Sequence, residues 1–244
     1  MSNRVLIYLV ILIIILAGGV LLFEKTWLVS KEKGFNQQGQ QSQNSNGKGD
    51  LSQQSVKNES ACQRNFDENK LKTAKVDIKN RMVEIQVENF GTIGIQLYDQ
   101  DAPKTVENFL RLVNAGYYDC LTFHRVAKGF VIQGGDPTGS GSGGDSAFGK
   151  EFADELNPQT PSFQAGYKKG VVAMANRGPN TNTSQFFIML EDAELPHNYT
   201  IFGKVATGLD VVEKIGNVPI TPVLGPQDGK PQQPVVMQSV KIIK

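Results

Sequence analysis

The sequence predicts an all-β domain over residues 80–244, a barrel whose ends are closed by two helices. Two observations predict this fold class. Short strand-like apolar runs recur between residues 83 and 243, and turn residues separate them. Only two segments in the same range carry apolar residues at the spacing of a helix.

The first predicted element is a β-hairpin. Apolar and polar residues alternate over residues 83–87 and again over residues 93–97, and Asn89-Phe90-Gly91 stands between the two runs. Two period-two runs around a glycine-containing turn predict a pair of antiparallel strands.

Two helices and further strands follow. Pro103 suits the first position of a helix, apolar residues from Val106 to Val113 fall at i, i+3, i+4 and i+7, and Gly116 can end the helix in a left-handed conformation. A second short helix fits Leu209–Ile215. The other strand-like runs are Phe130–Gln133, Val171–Ala175, Gln185–Leu190, Thr200–Val205 and Val235–Ile243.

The amino-terminal part of the chain predicts a membrane anchor. Residues 5–23 are 19 residues without a charge, which is long enough to cross the hydrocarbon core of a bilayer. A cleaved secretory signal is the alternative, although its apolar region is usually shorter. The four-residue head predicts that the amino terminus stays in the cytoplasm, with the folded domain on the extracytoplasmic side, whereas the positive-inside rule favours neither side.

A polar stretch separates this anchor from the domain. Of the 23 residues 36–58, 18 are Gln, Asn, Ser or Gly, so the segment cannot offset its ordering entropy by burying apolar surface. The predicted organisation is therefore an anchor over residues 1–29, a flexible linker over residues 30–79 and a folded domain over residues 80–244.

Composition argues against several function classes. Residues 81–244 carry 14 Lys and Arg against 17 Asp and Glu, so no basic face for nucleic acid is expected. Two histidines and two cysteines are too few for a typical metal site, and we expect no metal and no cofactor. Cys62 and Cys120 are either paired, as an oxidising compartment would allow, or two unrelated thiols.

Two motifs carry the functional prediction. Phe123–Asp136 sets Arg125 and Gln133 among apolar side chains and ends in a glycine turn, and the second motif is Ala173–Ile188. Together they resemble the two signature segments of the cyclophilins, which are peptidyl-prolyl cis-trans isomerases, and the likeness runs from about Met82 to Lys244. The resemblance implies a closed eight-stranded antiparallel barrel, capped by the two helices.

The resemblance also implies an active site. Isomerising an Xaa-Pro bond means overcoming amide resonance, a barrier of roughly 18–20 kcal/mol, and a guanidinium can stabilise the pyramidal prolyl nitrogen. The family's catalytic arginine falls on Arg125, for which a structural salt bridge is the alternative. The implied substrate-binding residues are Phe130, Val131, Gln133, Ala175, Asn176, Arg177, Gln185, Phe187, Leu195 and Tyr199. Strand alternation puts Phe186 and Phe187 on opposite faces, and the motif assigns Phe187 to the pocket.

Some residues weaken or complicate this prediction. Glu194 stands where many cyclophilins carry a tryptophan. His124 has no proton to move in this reaction, so we expect it to be structural. The glycines between Gly139 and Gly144 match a dinucleotide-binding spacing, but the segment is not a strand-to-helix turn.

The sequence therefore predicts a membrane-tethered peptidyl-prolyl isomerase that assists the folding of exported or surface polypeptides. Its expected partners are proline-containing polypeptides and, through residues 5–23, the lipid bilayer; no nucleic acid is expected, and the domain is expected to be monomeric. One alternative is a non-enzymatic chaperone or assembly factor that binds proline peptides in the same groove. A nucleotide-binding protein built on the glycine loop is the third hypothesis.

Overall fold

Ten strands form one antiparallel sheet in the computed structural model, which describes residues 62–73 and 75–243. The strands are β1 Met82–Val87, β2 Gly91–Leu97, β3 Phe123–Ala127, β4 Val131–Gly134, β5 Val171–Met174, β6 Phe186–Met189, β7 Ile201–Thr207, β8 Ile220–Gly225, β9 Asp228–Pro231 and β10 Met237–Ile242. The helices within the same residues are α1 Glu68–Thr73, α2 Pro103–Asn114, α3 Pro161–Ala165 and α4 Leu209–Gly216.

The strand order is β10-β1-β2-β7-β5-β6-β4-β3-β9-β8. The predicted hairpin is confirmed as β1 and β2, with Val83 opposite Ile95. The predicted closed barrel of eight strands is wrong, because the order holds ten strands and has two ends. A second hairpin, β8–β9, adds to the free edge of β3. The start of β3 also bonds to the chain that leads into β10: Phe123 donates its N–H to the carbonyl of Val235 at 2.9 Å, and an isolated bridge joins Thr122 and Val236.

The sheet separates two apolar clusters because side chains alternate along each strand. On β6, Phe186 and Ile188 belong to the larger cluster, whereas Phe187 and Met189 belong to the smaller one on the other face. Both predicted helices are confirmed, and they bury their apolar residues in the larger cluster. The smaller cluster lies where the site residues are predicted.

Helix α2 is capped by a side chain from a distant loop. It begins at Pro103, and the residue before it offers no capping side chain. The Glu155 carboxylate accepts the backbone N–H groups of Lys104 at 3.0 Å and Thr105 at 2.8 Å, together with the Thr105 hydroxyl at 2.7 Å. A carboxylate at this position satisfies otherwise unpaired donors and complements the helix dipole.

The chain that enters the domain is bonded to it. Cys62 and Cys120 form a disulfide, with their Cα atoms 5.6 Å apart, so the two cysteines are paired. Arg64 donates to the carbonyl of Tyr117 at 2.9 Å, and Phe66 packs edge-on against the Tyr117 ring at 5.3 Å. The described residues before position 80 thus lie against the domain, within the segment for which the sequence predicts a linker.

The predicted anchor, residues 5–23, lies outside the described residues, as does the chain from residue 30 to residue 61. Within residues 62–73 and 75–243, no helix has the length and apolar character that crossing a membrane requires.

Candidate active site

Three neighbouring strands bring the predicted catalytic residue and two predicted binding residues together. The register sets Arg125 of β3 opposite Gln133 of β4, and Gln133 opposite Phe187 of β6. Residues directly opposite each other in an antiparallel pair share a face of the sheet. Arg125 therefore lies on the face that carries the smaller apolar cluster.

The Arg125 guanidinium is held from two sides. Its Nε and Nη2 atoms donate to the two carboxylate oxygens of Asp228, at 2.8 and 2.6 Å, and Nη1 donates to Oε1 of Gln133 at 2.9 Å. The side chain is 28% exposed, so it is sheltered but open to a ligand. Asp228 was not predicted from the sequence, because the hairpin that carries it has no strand-like alternation.

A hydrogen-bond chain continues from Gln133 into the glycine loop. Gln133 Nε2 donates to Oε1 of Gln185 at 2.9 Å, and Gln185 Nε2 donates to the carbonyls of Gly141 and Gly143 at 3.0 and 2.7 Å. An arginine can only donate, so the oxygen of Gln133 must face it and its amide nitrogen must face Gln185. The orientation of both amides therefore follows from Arg125.

The predicted apolar residues gather beside this chain. Phe187 and Tyr199 pack edge-on, with ring centroids 5.5 Å apart. Val131 and Phe187 are buried in the smaller cluster, and the half-buried Phe130, Leu195 and Tyr199 pack against it. Together they present apolar surface within reach of a guanidinium, which is the environment that a proline ring requires.

Tyrosine hydrogen bonds fix the position of Tyr199. The Tyr167 hydroxyl donates to the carbonyl of Tyr199 at 2.9 Å and accepts its N–H at 3.0 Å. Burial raises the pKa of Tyr167 to about 12 and also raises the pKa of Tyr199. Both phenols therefore stay neutral at physiological pH.

A small polar cavity of about 50 Å³ adjoins the chain of amides. Its lining residues are Gln133, Gly141, Ala175, Asn176, Arg177, Thr181, Thr183 and Gln185. The guanidinium of Arg177 donates to the carbonyl of Ser142 at 3.0 Å and to Glu151 at 2.8 Å. Asn176 donates to the carbonyl of Asn198 at 2.8 Å. The predicted polar residues thus come together, but the charged head of Arg177 is bound to the glycine loop and to Glu151.

His124 lies beside Arg125 in sequence, but it is buried, with 6% of its surface exposed. Neither ring nitrogen has a hydrogen-bond partner among the described residues. Burial is the main cause that lowers its pKa, with a smaller contribution from the charge of Arg125. A neutral imidazole inside the domain fits the structural role expected for it.

The amides of the glycine loop point to a carboxylate of the same loop. Asp136 accepts the backbone N–H groups of Thr138, Ser140, Gly141 and Gly143. Although burial acts in the opposite direction, hydrogen bonds from Thr138, Gly143 and Gly141 lower the pKa of Asp136 to about 2. These donors are occupied by the protein's own anion, so the nucleotide-binding hypothesis lacks the groups it needs.

Residues 82–242 match the model of the cyclophilin-type peptidyl-prolyl cis-trans isomerase family. The chain is a cyclophilin. Within these residues lie all the groups of the site, from Arg125 to Asp228.

Relatives of this cyclophilin include the peptidyl-prolyl cis-trans isomerase-like 1 proteins of Neurospora crassa and Homo sapiens. The first is 50% identical over 130 residues, which are 53% of this chain and 77% of that protein. The second is 48% identical over 131 residues, 53% of this chain and 76% of that protein. This cyclophilin is accordingly a peptidyl-prolyl cis-trans isomerase.

Solved structures agree with the fold. A cyclophilin-type peptidyl-prolyl cis-trans isomerase of Cryptosporidium parvum superposes with a TM-score of 0.60 at 36% identity, covering 68% of this chain and 98% of that chain. The same protein was also solved in the presence of the dipeptide Ala-Pro; that structure superposes with a TM-score of 0.59, covering 67% of this chain and 99% of that chain.

Proposed function

We propose that Arg125 is the catalytic residue and that a proline-containing polypeptide binds across β3, β4 and β6, on the face that carries the smaller apolar cluster. The proline ring lies on the apolar surface formed by Phe130, Val131, Phe187, Leu195 and Tyr199. The flanking main chain meets Gln133 and Gln185, and also the segment formed by Ala175, Asn176 and Arg177. The observation that carries this proposal is the half-sheltered guanidinium of Arg125, fixed beside that apolar surface.

Isomerisation of the Xaa-Pro bond requires only a hydrogen-bond donor and a surface that holds the proline ring. Rotation about the Xaa-Pro bond removes amide resonance, so the prolyl nitrogen becomes pyramidal and gains a lone pair. An N–H of Arg125 can donate to that lone pair and stabilise the twisted amide relative to either planar isomer. The apolar surface holds the ring while the residue before proline turns. No bond breaks and no proton is transferred.

Replacing Arg125 with Ala tests this role. We expect kcat/KM for a proline peptide to fall about 100-fold or more, as when a preorganised donor to a developing charge is lost, when the variants are compared at equal folded fractions. Arg81→Ala is the matched control, because the Arg81 side chain bonds to the carboxylate and the backbone carbonyl of Asp77, away from the proposed site. Activity of Arg125→Ala within threefold of wild type would refute the mechanism.

The same assay separates enzyme from chaperone. A protein that only binds proline peptides in this groove would retain peptide affinity without accelerating isomerisation. The binder hypothesis therefore predicts saturable peptide binding and an isomerisation rate equal to the uncatalysed one, whereas the proposed role of Arg125 predicts a rate that saturates with peptide.

We further propose that residues 1–29 anchor this cyclophilin in a membrane, through the apolar run 5–23, and that the domain over residues 80–244 acts on exported or surface polypeptides. The chain between them would be the tether. Two observations support this proposal: the 19-residue uncharged run, and the Cys62–Cys120 disulfide, which is typical of an oxidising compartment.

The membrane proposal has its own experiment. In intact cells, an added protease should release the domain, and the amino-terminal fragment should remain in the membrane fraction after alkaline extraction. A domain that is digested only after the cells are opened would place the enzyme on the other side.

A further inference from the structure

Arg125 forms an ion pair with Asp228, a residue of β9 that lies outside the two signature motifs. Nε donates to Oδ1 of Asp228 at 2.8 Å, and Nη2 donates to Oδ2 at 2.6 Å. Two parallel charge-assisted bonds fix both the plane and the direction of a guanidinium, which one bond alone leaves free to rotate. Asp228 is 22% exposed at its side chain, so water competes only partly for this pair.

The sheet places Asp228 on the same face as Arg125. Asp228 is the first residue of β9 and lies opposite Ala127 of β3, two residues beyond Arg125. Asp228 and Arg125 are thus diagonal neighbours on one face, within reach of long side chains. The next residue, Gly229, sits so close to β8 that a Cβ atom there would lie 2.0 Å from the carbonyl oxygen of Thr221. Tight packing of the β8–β9 hairpin therefore sets where the carboxylate stands.

The Arg125 guanidinium keeps N–H groups that can bind a ligand. A guanidinium has five N–H groups. Among the described residues, Asp228 takes two of them and Gln133 takes one. Two N–H groups remain, one on Nη1 and one on Nη2. Asp228 holds the edge that includes Nε, so the terminal nitrogens are the ones left for substrate.

We propose that Asp228 is a positioning residue for the isomerisation, acting through Arg125. This inference rests on the proposed catalytic role of Arg125. Without the carboxylate, Arg125 keeps one hydrogen bond, to Gln133, and its long side chain regains rotamer freedom that must be lost again in each transition state. The carboxylate therefore orients the donors before the peptide arrives.

The Asp228 carboxylate affects both the positive field of Arg125 and the direction of its N–H groups. These two effects predict opposite changes in rate when the carboxylate is removed, which makes the role testable. The Asp228 carboxylate weakens the positive field of Arg125, so its removal should raise the rate if field strength alone limits catalysis. Removal should lower the rate if the direction of the N–H groups limits it. Orientation dominates here, because a lone pair on nitrogen accepts a directed hydrogen bond at short range.

The experiment is a mutant cycle on the full-length protein, with kcat and KM measured separately on a proline peptide. We expect Asp228→Ala to lower kcat about tenfold and to change KM less than twofold. Asp228→Asn keeps one acceptor and should fall between Asp228→Ala and wild type. Asp210→Ala is the matched control, since Asp210 forms an exposed ion pair with Lys214, and it should behave as wild type.

The decisive comparison is Asp228→Ala in an Arg125→Ala background. If Asp228 acts only through Arg125, the second substitution should cause no further loss. Equal losses in both backgrounds would overturn the inference, and so would an Asp228→Ala enzyme as fast as wild type or faster. If Asp228→Ala does not fold, Asp228→Asn carries the same comparison. An Arg125→Ala enzyme with normal activity would instead refute the proposed function itself.

Discussion

The pair Phe186 and Phe187 offers a sharp test of how this cyclophilin divides its sheet between stability and catalysis. Phe186 is fully buried, and its ring centroid lies 5.5 Å from that of Phe109 and 5.7 Å from that of Tyr118. Removing such a ring should cost about 3–5 kcal/mol of unfolding free energy. For a domain of this size, that cost corresponds to a fall in Tm of about 6–20 °C.

Phe187 is nearly as buried, but it belongs to the smaller cluster on the other face of the sheet and packs against Tyr199. Phe187→Ala should also lower Tm, and in addition it removes apolar surface from the proposed proline site. A loss of roughly 1.4 kcal/mol of contact with the ring, about half of a full phenylalanine burial, predicts a tenfold lower kcat/KM. Phe186→Ala, assayed well below its Tm, should stay within threefold of wild type.

The assay is isomerisation of a proline peptide at low temperature, with the folded fraction of each variant measured by circular dichroism. Equal losses of kcat/KM in the two variants, at equal folded fractions, would refute the assignment of opposite faces to different tasks. So would a Phe187→Ala enzyme with wild-type activity.

Three further predictions concern stability. Cys62→Ser should lower the free energy of unfolding by about 4 kcal/mol, since the disulfide closes a loop with a sequence separation of 58. Adding a reductant to wild type should lower its urea midpoint to that of the variant, and an unchanged midpoint would contradict this. Glu155→Gln should lower the free energy of unfolding by about 0.5–2 kcal/mol, measured with urea, because the cap of α2 loses its charge. The exposed control Glu68→Gln should lower it by less than about 0.5 kcal/mol. His124 has a pKa lowered by burial, so the unfolded chain takes up a proton first as the pH falls below 6.5. Wild type should therefore lose stability from pH 7 towards pH 5, and His124→Phe should lose less; parallel pH curves would show that His124 is not responsible.

The apolar periodicity of the sequence was sufficient to predict those elements that bury a single face. The β1–β2 hairpin and helices α2 and α4 follow from alternation or helical spacing, since each needs its apolar residues on one side. Gly116 has the positive φ, 70°, that its place behind α2 predicts. The opposite faces of Phe186 and Phe187 follow from the same rule.

The β8–β9 hairpin did not follow from the sequence. Its strands contain Pro222 and Pro231 and show no apolar alternation, and β8 is mostly exposed. They are strands because β9 pairs with the edge of β3, a contact that no local pattern specifies. Asp228 was missed for that reason, although Arg125 itself was predicted from its motif. The pairing of Cys62 with Cys120 likewise depends on where the entering chain lies, which spacing alone leaves open.

The disulfide also changes how the domain bears mechanical load. A pull on the chain before Cys62 crosses directly to Cys120, since a covalent bond carries the force past the residues between them. Helices α1 and α2 and strands β1 and β2 lie in that bypassed loop. Tension applied to the amino-terminal end would therefore leave these elements unloaded and would enter the fold just before β3, the strand that carries Arg125.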